Sequence, residues 1–92
     1  MEPWLLEYQR FDTIVQQIFK YIASNDYSKD MERIFQTRLM NAHMQLGAAL
    51  FSDTDGQEKW KVAIYHAVTG IYSVVRDTLH SDSVLKNDGQ KR

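Results

Sequence analysis

Apolar residues recur along this chain at helical spacing in three separate runs. Polar segments divide the runs, the first around Ser24-Asn25-Asp26 and the second ending at Gly56. Positions three and four residues apart share one face of an α-helix, so each run predicts one helix with an apolar stripe. The three stripes are Trp4, Tyr8, Phe11, Val15, Ile18 and Ile22; Met31, Phe35, Leu39, Ala42, Leu46 and Ala49; and Trp60, Ile64, Ala67, Ile71, Val74 and Thr78.

Polar residues around the runs predict where the helices begin and end. Pro3 suits a first helical position, because its missing N–H would have no partner there. Ser28 is a candidate N-cap for the second helix. Asp55, with Glu58 three residues later, has the spacing of a capping box for the third helix. The predicted helices span about 3–23, 29–51 and 57–79, and a flexible C-terminal tail is expected over 81–92.

Short connections favour antiparallel neighbours, so the predicted fold is all-α, an up-down-up antiparallel three-helix bundle with one domain over residues 1–80. In helix 3 we expect the run headed by Trp60 to be the main buried seam. A second stripe beside it makes this helix apolar over much of its circumference, which predicts a central position. The core of a 92-residue chain is modest, and homodimerisation could complete it to a larger bundle. The second stripe consists of Tyr65, Val68, Tyr72, Val75 and Leu79.

Helix 2 also carries a second apolar stripe, on nearly the opposite face from its first. A three-helix monomer does not easily cover both faces of one helix. Methionine adapts to varied partners, and tyrosine offers a large contact area with a polar tip. We therefore expect a protein partner, or a second copy in a homodimer, to bind the apolar faces of helices 2 and 3. The predicted partner-binding residues are Met40, Met44, Phe51, Tyr65 and Tyr72.

Two glycines inside predicted helices need an explanation, since each costs about 1 kcal/mol of helix propensity relative to alanine. Gly47 lies on the second stripe of helix 2, where we expect compensating packing. Gly70 follows Ala63 and Ala67 at small-residue spacing, which predicts a tight helix crossing inside the bundle.

Composition and charge narrow the classes of function. Hydrophobic residues make up 43% and charged residues 25% of the chain, as in ordinary soluble domains. A formal net charge of −1 provides no field to attract nucleic acid or an anionic membrane. The chain has no cysteine, which excludes disulfides and Cys-ligated zinc and fits a reducing cytoplasm. No apolar stretch is long enough to span a membrane, so we expect a cytoplasmic protein.

No residue pattern indicates a cofactor, a metal or catalysis. Asp53-Thr54-Asp55-Gly56 resembles the middle of a calcium-binding loop, but that register places Phe51 and Val62 at the two ends, where oxygen ligands are required. The predicted protein is therefore not an enzyme and holds no metal or cofactor.

The three histidines also lack a partner at metal-ligand spacing. His43 and His66 are predicted to be solvated or hydrogen-bonded helix residues. His80 is predicted to interact with the free carbonyl groups at the end of helix 3.

The favoured interpretation is a non-catalytic protein–protein interaction module. In size and helix count the chain resembles small helical adaptors, such as bacteriocin immunity proteins, secretion chaperones and phage-encoded inhibitors. Two alternatives remain open, a structural subunit of a larger assembly and a nucleic-acid-binding bundle. The latter would use Lys29, Arg33, Lys59 and Lys61.

Overall fold

The computed structural model describes residues 2–24, 26–52 and 58–90, with the backbone alone for residue 83 and residues 85–90. This part of the chain forms three helices, α1 (Pro3–Ala23), α2 (Lys29–Leu50) and α3 (Lys59–Gln90), and contains no strand. The predicted all-α three-helix bundle is confirmed. The calcium-loop pattern at 53–56 and Asp55, the first residue of the predicted capping box, lie outside the described residues.

Local signals place the first two helices. Pro3 occupies the start of α1, and the Ser28 hydroxyl accepts a hydrogen bond from the Met31 N–H at 3.4 Å as the N-cap of α2. Tyr21 fixes the connection between them, because its hydroxyl accepts from the Ser28 N–H at 2.9 Å and donates to the Ser28 carbonyl at 3.0 Å. The Tyr21 ring also packs on Phe35, with centroids 5.2 Å apart.

α2 is the central helix of the bundle. It contacts both neighbours extensively, whereas α1 and α3 touch each other at far fewer positions. The expectation that helix 3 is central is therefore wrong. The buried core consists of Phe11, Val15 and Ile18 from α1, Phe35, Leu39, Ala42, Leu46 and Leu50 from α2, and Val68, Val75 and Leu79 from α3.

The stripe of α3 that faces this core is the second one, which contains Val68, Val75 and Leu79. The stripe headed by Trp60, which we call the outer seam, lies mainly outside the core, and Trp60 itself is 44% exposed. The prediction that this run is the main buried seam is wrong. The outer seam comprises Trp60, Ile64, Ala67, Ile71, Val74 and Thr78.

Contacts with α2 explain the choice between the two stripes. The Tyr65 ring lies over Gly47, where an added Cβ would come within 2.9 Å of a ring carbon. Tyr72 packs on His43 seven residues, or about two helical turns, further along α3. Because α2 offers room for both tyrosines, α3 rotates their stripe inward and the outer seam away from α2.

α3 extends beyond its predicted end at Leu79 and remains helical to Gln90, where a flexible tail was expected. Residues 80–88 contain neither proline nor glycine, so no residue there stops the helix. His80 therefore lies within the helix rather than at its terminal carbonyls, and its Nδ1 atom is 3.6 Å from Glu32 Oε1. Over the residues described, none of the three helices is long and apolar enough to cross a membrane.

Candidate interaction surfaces

All five predicted partner-binding residues lie along the crevice between α2 and α3, and we call them the methionine surface. Met40 is 44% and Met44 is 60% exposed. Phe51, Tyr65 and Tyr72 are partly buried and pack against the core. The structure thus brings the five residues to one side of the bundle, but of the five only the two methionines are exposed, and Met44 alone is more than half exposed.

His43 organises the aromatic half of this surface. Its ring stacks on Tyr72 and Tyr65, with centroid distances of 4.5 and 5.5 Å. Its Nε2 atom lies 3.0 Å from the Thr69 hydroxyl, and burial lowers the pKa of the His43 imidazole. The sequence contains a signal for this arrangement. Tyr65, Thr69 and Tyr72 are spaced 4-3 on one face of α3, so a single position on α2 can contact all three.

Two open cavities adjoin the methionine surface. The first, of about 520 Å³, is lined by His43, Met44, Gly47, Ala48, Phe51 and Tyr65. The second, of about 410 Å³, is more polar and is lined by Gln36, Thr37, Met40, Tyr72, Arg76, Asp77 and His80. The first can accept an apolar side chain, and the second offers hydrogen-bonding groups at its edge.

Arg76 supplies the charge at the second cavity. Its guanidinium lies over the Tyr72 ring, 5.4 Å from the centroid, and contacts the Asp77 carboxylate at 3.3 Å. The hydrogen bond to Asp77 raises the pKa of Arg76 further above its already high value, so the group is permanently charged.

The three histidines occupy three separate environments. His43 faces Thr69, His66 is exposed beside the edge of the Tyr65 ring, and His80 faces Glu32. Within the described ranges no group of three or more His, Asp or Glu side chains is placed to hold a metal ion.

The four cationic residues of the nucleic-acid hypothesis do not form one surface. α2 and α3 are antiparallel, as the contacts of His43 with Tyr72 and of Gly47 with Tyr65 show. Lys29 and Arg33 lie at the start of α2, and Lys59 and Lys61 lie at the start of α3. The two pairs are therefore at opposite ends of the bundle, separated by roughly the 33 Å length of α2. Lys61 is also buried, with its Nζ atom 3.6 Å from Glu58 Oε2.

A second apolar surface, which the sequence reasoning assigned to the core, lies on the side of α1 and α3. Trp60, Ile71 and Val74 of the outer seam are 44%, 43% and 63% exposed. Trp4 of α1 packs on Trp60, with ring centroids 5.8 Å apart. A groove of about 320 Å³ beside the seam is lined by Trp4, Leu5, Tyr8, Ile64, Ala67, Val68 and Ile71.

Comparisons of the chain with known protein families, with curated proteins and with solved structures find no match.

Proposed function

We propose that this chain is a non-catalytic protein–protein interaction module, an adaptor, inhibitor, immunity or chaperone-like protein, that binds a protein partner through the methionine surface. One observation carries the proposal: Met44, 60% exposed, borders the 520 Å³ cavity that Phe51 and Tyr65 line. Large apolar side chains beside an open cavity are typical of surfaces that bind other proteins. Location in the cytoplasm stays a prediction of the cysteine-free sequence.

The mechanism is burial of an apolar anchor. An aliphatic or aromatic side chain of the partner enters the cavity between Met44 and Phe51, and the flexible thioether of Met44 closes over it. The aromatic stack around His43 keeps the cavity wall in place. The Arg76 and Asp77 side chains, at the polar end of the crevice, set the orientation of the partner.

Site-specific photo-crosslinking in the native cell tests the proposal. A benzophenone amino acid at Met44 is expected to give one discrete adduct with another protein. The matched control is the same group at Gln16, an exposed position of α1, a helix that contributes no residue to the methionine surface, and it should give none. Absence of a discrete adduct at Met44 would contradict the proposal.

Met44→Asp then measures what the contact contributes. Since Met44 is mostly exposed, the variant should keep its far-UV circular dichroism spectrum while its affinity for the crosslinked partner falls by about tenfold or more. If the variant unfolds, Met44 belongs to the core and the proposed surface is wrong.

A further inference from the structure

We propose that a second copy of this chain docks on the outer seam, forming an antiparallel two-fold dimer whose axis passes at the level of Thr69. This inference concerns a different surface from the methionine surface and goes beyond the proposed function. The dimer would leave the methionine surface on its outside, free for another protein.

In the part of the chain that is described, the outer seam is a heptad stripe that α1 covers only along one edge, where Trp4 packs on Trp60. Ala67 and Thr78 are exposed like Trp60, Ile71 and Val74, and Ile64 is half-buried. The six positions include no charged residue. Residues 80–90 do not fold back over the stripe, because they continue α3. Such a stripe matches a partner that presents an apolar helix of equal length.

The spacing of the seam selects a second copy as that partner. Its intervals are 4-3-4-3-4, which read the same in both directions. When two copies run antiparallel about residue 69, every seam position therefore meets a seam position of the other copy, as a two-fold interface requires. Each layer sets a larger side chain against a smaller one, which favours close packing. The layers pair Trp60 with Thr78, Ile64 with Val74 and Ala67 with Ile71.

The area of the seam suffices for a reversible dimer. From residue 60 to residue 78 the helix rises about 27 Å. A strip of that length and about 20 Å wide, including the edge of α1 at Trp4 and Tyr8, buries on the order of 1,100 Å² over both copies. This value lies just above the roughly 1,000 Å² that a specific interface needs, which is the size of a weak, reversible interface.

Light scattering after size-exclusion chromatography, over a concentration series, tests the dimer directly. The unaltered chain should approach twice the monomer mass as its concentration rises. Ala67→Glu adds a charge at an exposed helix position, so the monomer should keep its fold while the dissociation constant rises by about a hundredfold or more. Ala48→Glu is the matched control, an exposed alanine of α2 on the other surface, and should leave the dimer intact.

Cross-linking tests the antiparallel register, and the absence of native cysteine removes any background. Gly70→Cys places a thiol next to the two-fold axis, and a short thiol-reactive cross-linker should join its two copies. Thr78→Cys places the two thiols roughly 27 Å apart along the seam, beyond the reach of the same reagent. Efficient joining of Thr78→Cys would mean a parallel dimer and would overturn the register.

The outcomes separate this inference from the proposed function. A chain that stays monomeric at all concentrations overturns the dimer, whereas a foreign-protein adduct at Met44 would still support the interaction module. A dimer that Ala48→Glu dissociates and Ala67→Glu does not would place self-association on α2 and also overturn the inference.

Discussion

At the scale of single residues, the Tyr21 hydroxyl ties the end of α1 to the start of α2 through both polar groups of the Ser28 backbone. Tyr21→Phe keeps the ring that packs on Phe35 and removes both hydrogen bonds. We expect the free energy of unfolding, measured by urea denaturation, to fall by about 1–2 kcal/mol.

Tyr8→Phe is the control for this prediction. The Tyr8 ring is 38% exposed, and its hydroxyl has no hydrogen-bond partner among the described residues. Its removal should change the free energy of unfolding by less than about 0.5 kcal/mol. If the two substitutions lower the free energy of unfolding equally, the hydrogen bonds to Ser28 contribute no more to stability than an exposed hydroxyl does.

His43 makes stability depend on pH in a defined direction. Burial lowers its pKa in the folded chain below the ordinary value of 6.5. Between the two values the unfolded chain binds more protons than the folded chain, so the free energy of unfolding rises with pH in that interval. We expect stability to be complete above about pH 6.5, to decline on acidification, and to level off below the folded pKa.

Two measurements check this expectation. An NMR titration of the His43 ring should give a pKa below 6.5. His43→Gln can still hydrogen-bond Thr69 but does not titrate, so its stability should fall less between about pH 7.5 and pH 5. A His43 pKa at or above the ordinary value would refute the attribution to burial.

At the scale of the helices, the two interior glycines should respond oppositely to alanine. A Cβ at Gly70 meets nothing within 4 Å, so Gly70→Ala should raise the free energy of unfolding by about 0.5–1 kcal/mol through helix propensity alone. At Gly47 the Cβ would meet the Tyr65 ring at 2.9 Å. Displacing that ring from His43 and Phe51 should cost about 1–3 kcal/mol, which exceeds the gain in propensity.

Urea denaturation of both variants at one low protein concentration compares the two positions directly. The open surroundings of Gly70 already show that a tight crossing inside the bundle does not explain this glycine. If Gly47→Ala stabilises the chain as much as Gly70→Ala, the Tyr65 ring moves freely and does not fix the rotation of α3.

Local sequence signals predict where the helices form, but they do not predict which face of each helix turns toward the core. The 4-3 spacing, Pro3 and the Ser28 cap were enough to place α1 and the start of α2. The end of α3 was missed because the sequence offers no stop signal near Leu79. The buried stripe of α3 was missed because its two stripes are similarly apolar. The contacts that distinguish them involve another helix, on which Gly47 leaves space for the Tyr65 ring and His43 stacks on Tyr72.

At the scale of the whole molecule, the candidate surfaces depend on the same packing. The exposed methionines could be predicted because their stripe lies opposite the main stripe of α2. The partial burial of Phe51, Tyr65 and Tyr72 could not, since it follows from the rotation of α3. That rotation also uncovers the outer seam. The rotation of α3 thus buries part of the predicted methionine surface and exposes the outer seam as a second apolar surface.

Self-association through the outer seam makes thermal stability depend on protein concentration. Dimerisation stabilises the folded chain by mass action, and a tenfold rise in concentration adds about 1.4 kcal/mol per dimer, or about 0.7 kcal/mol per chain. For a chain of this size the midpoint of thermal unfolding should rise by about 3–5 °C per tenfold increase above the dissociation constant.

Calorimetry over two decades of concentration measures this slope. Ala67→Glu should unfold at one temperature throughout, whereas Ala48→Glu should follow the unaltered chain. Below the dissociation constant the slope of the unaltered chain should vanish, because the folded state is then a monomer. The outcome that contradicts the dimer is an unfolding temperature that does not change with concentration for the unaltered chain or for either variant. The outer seam would then remain open to solvent.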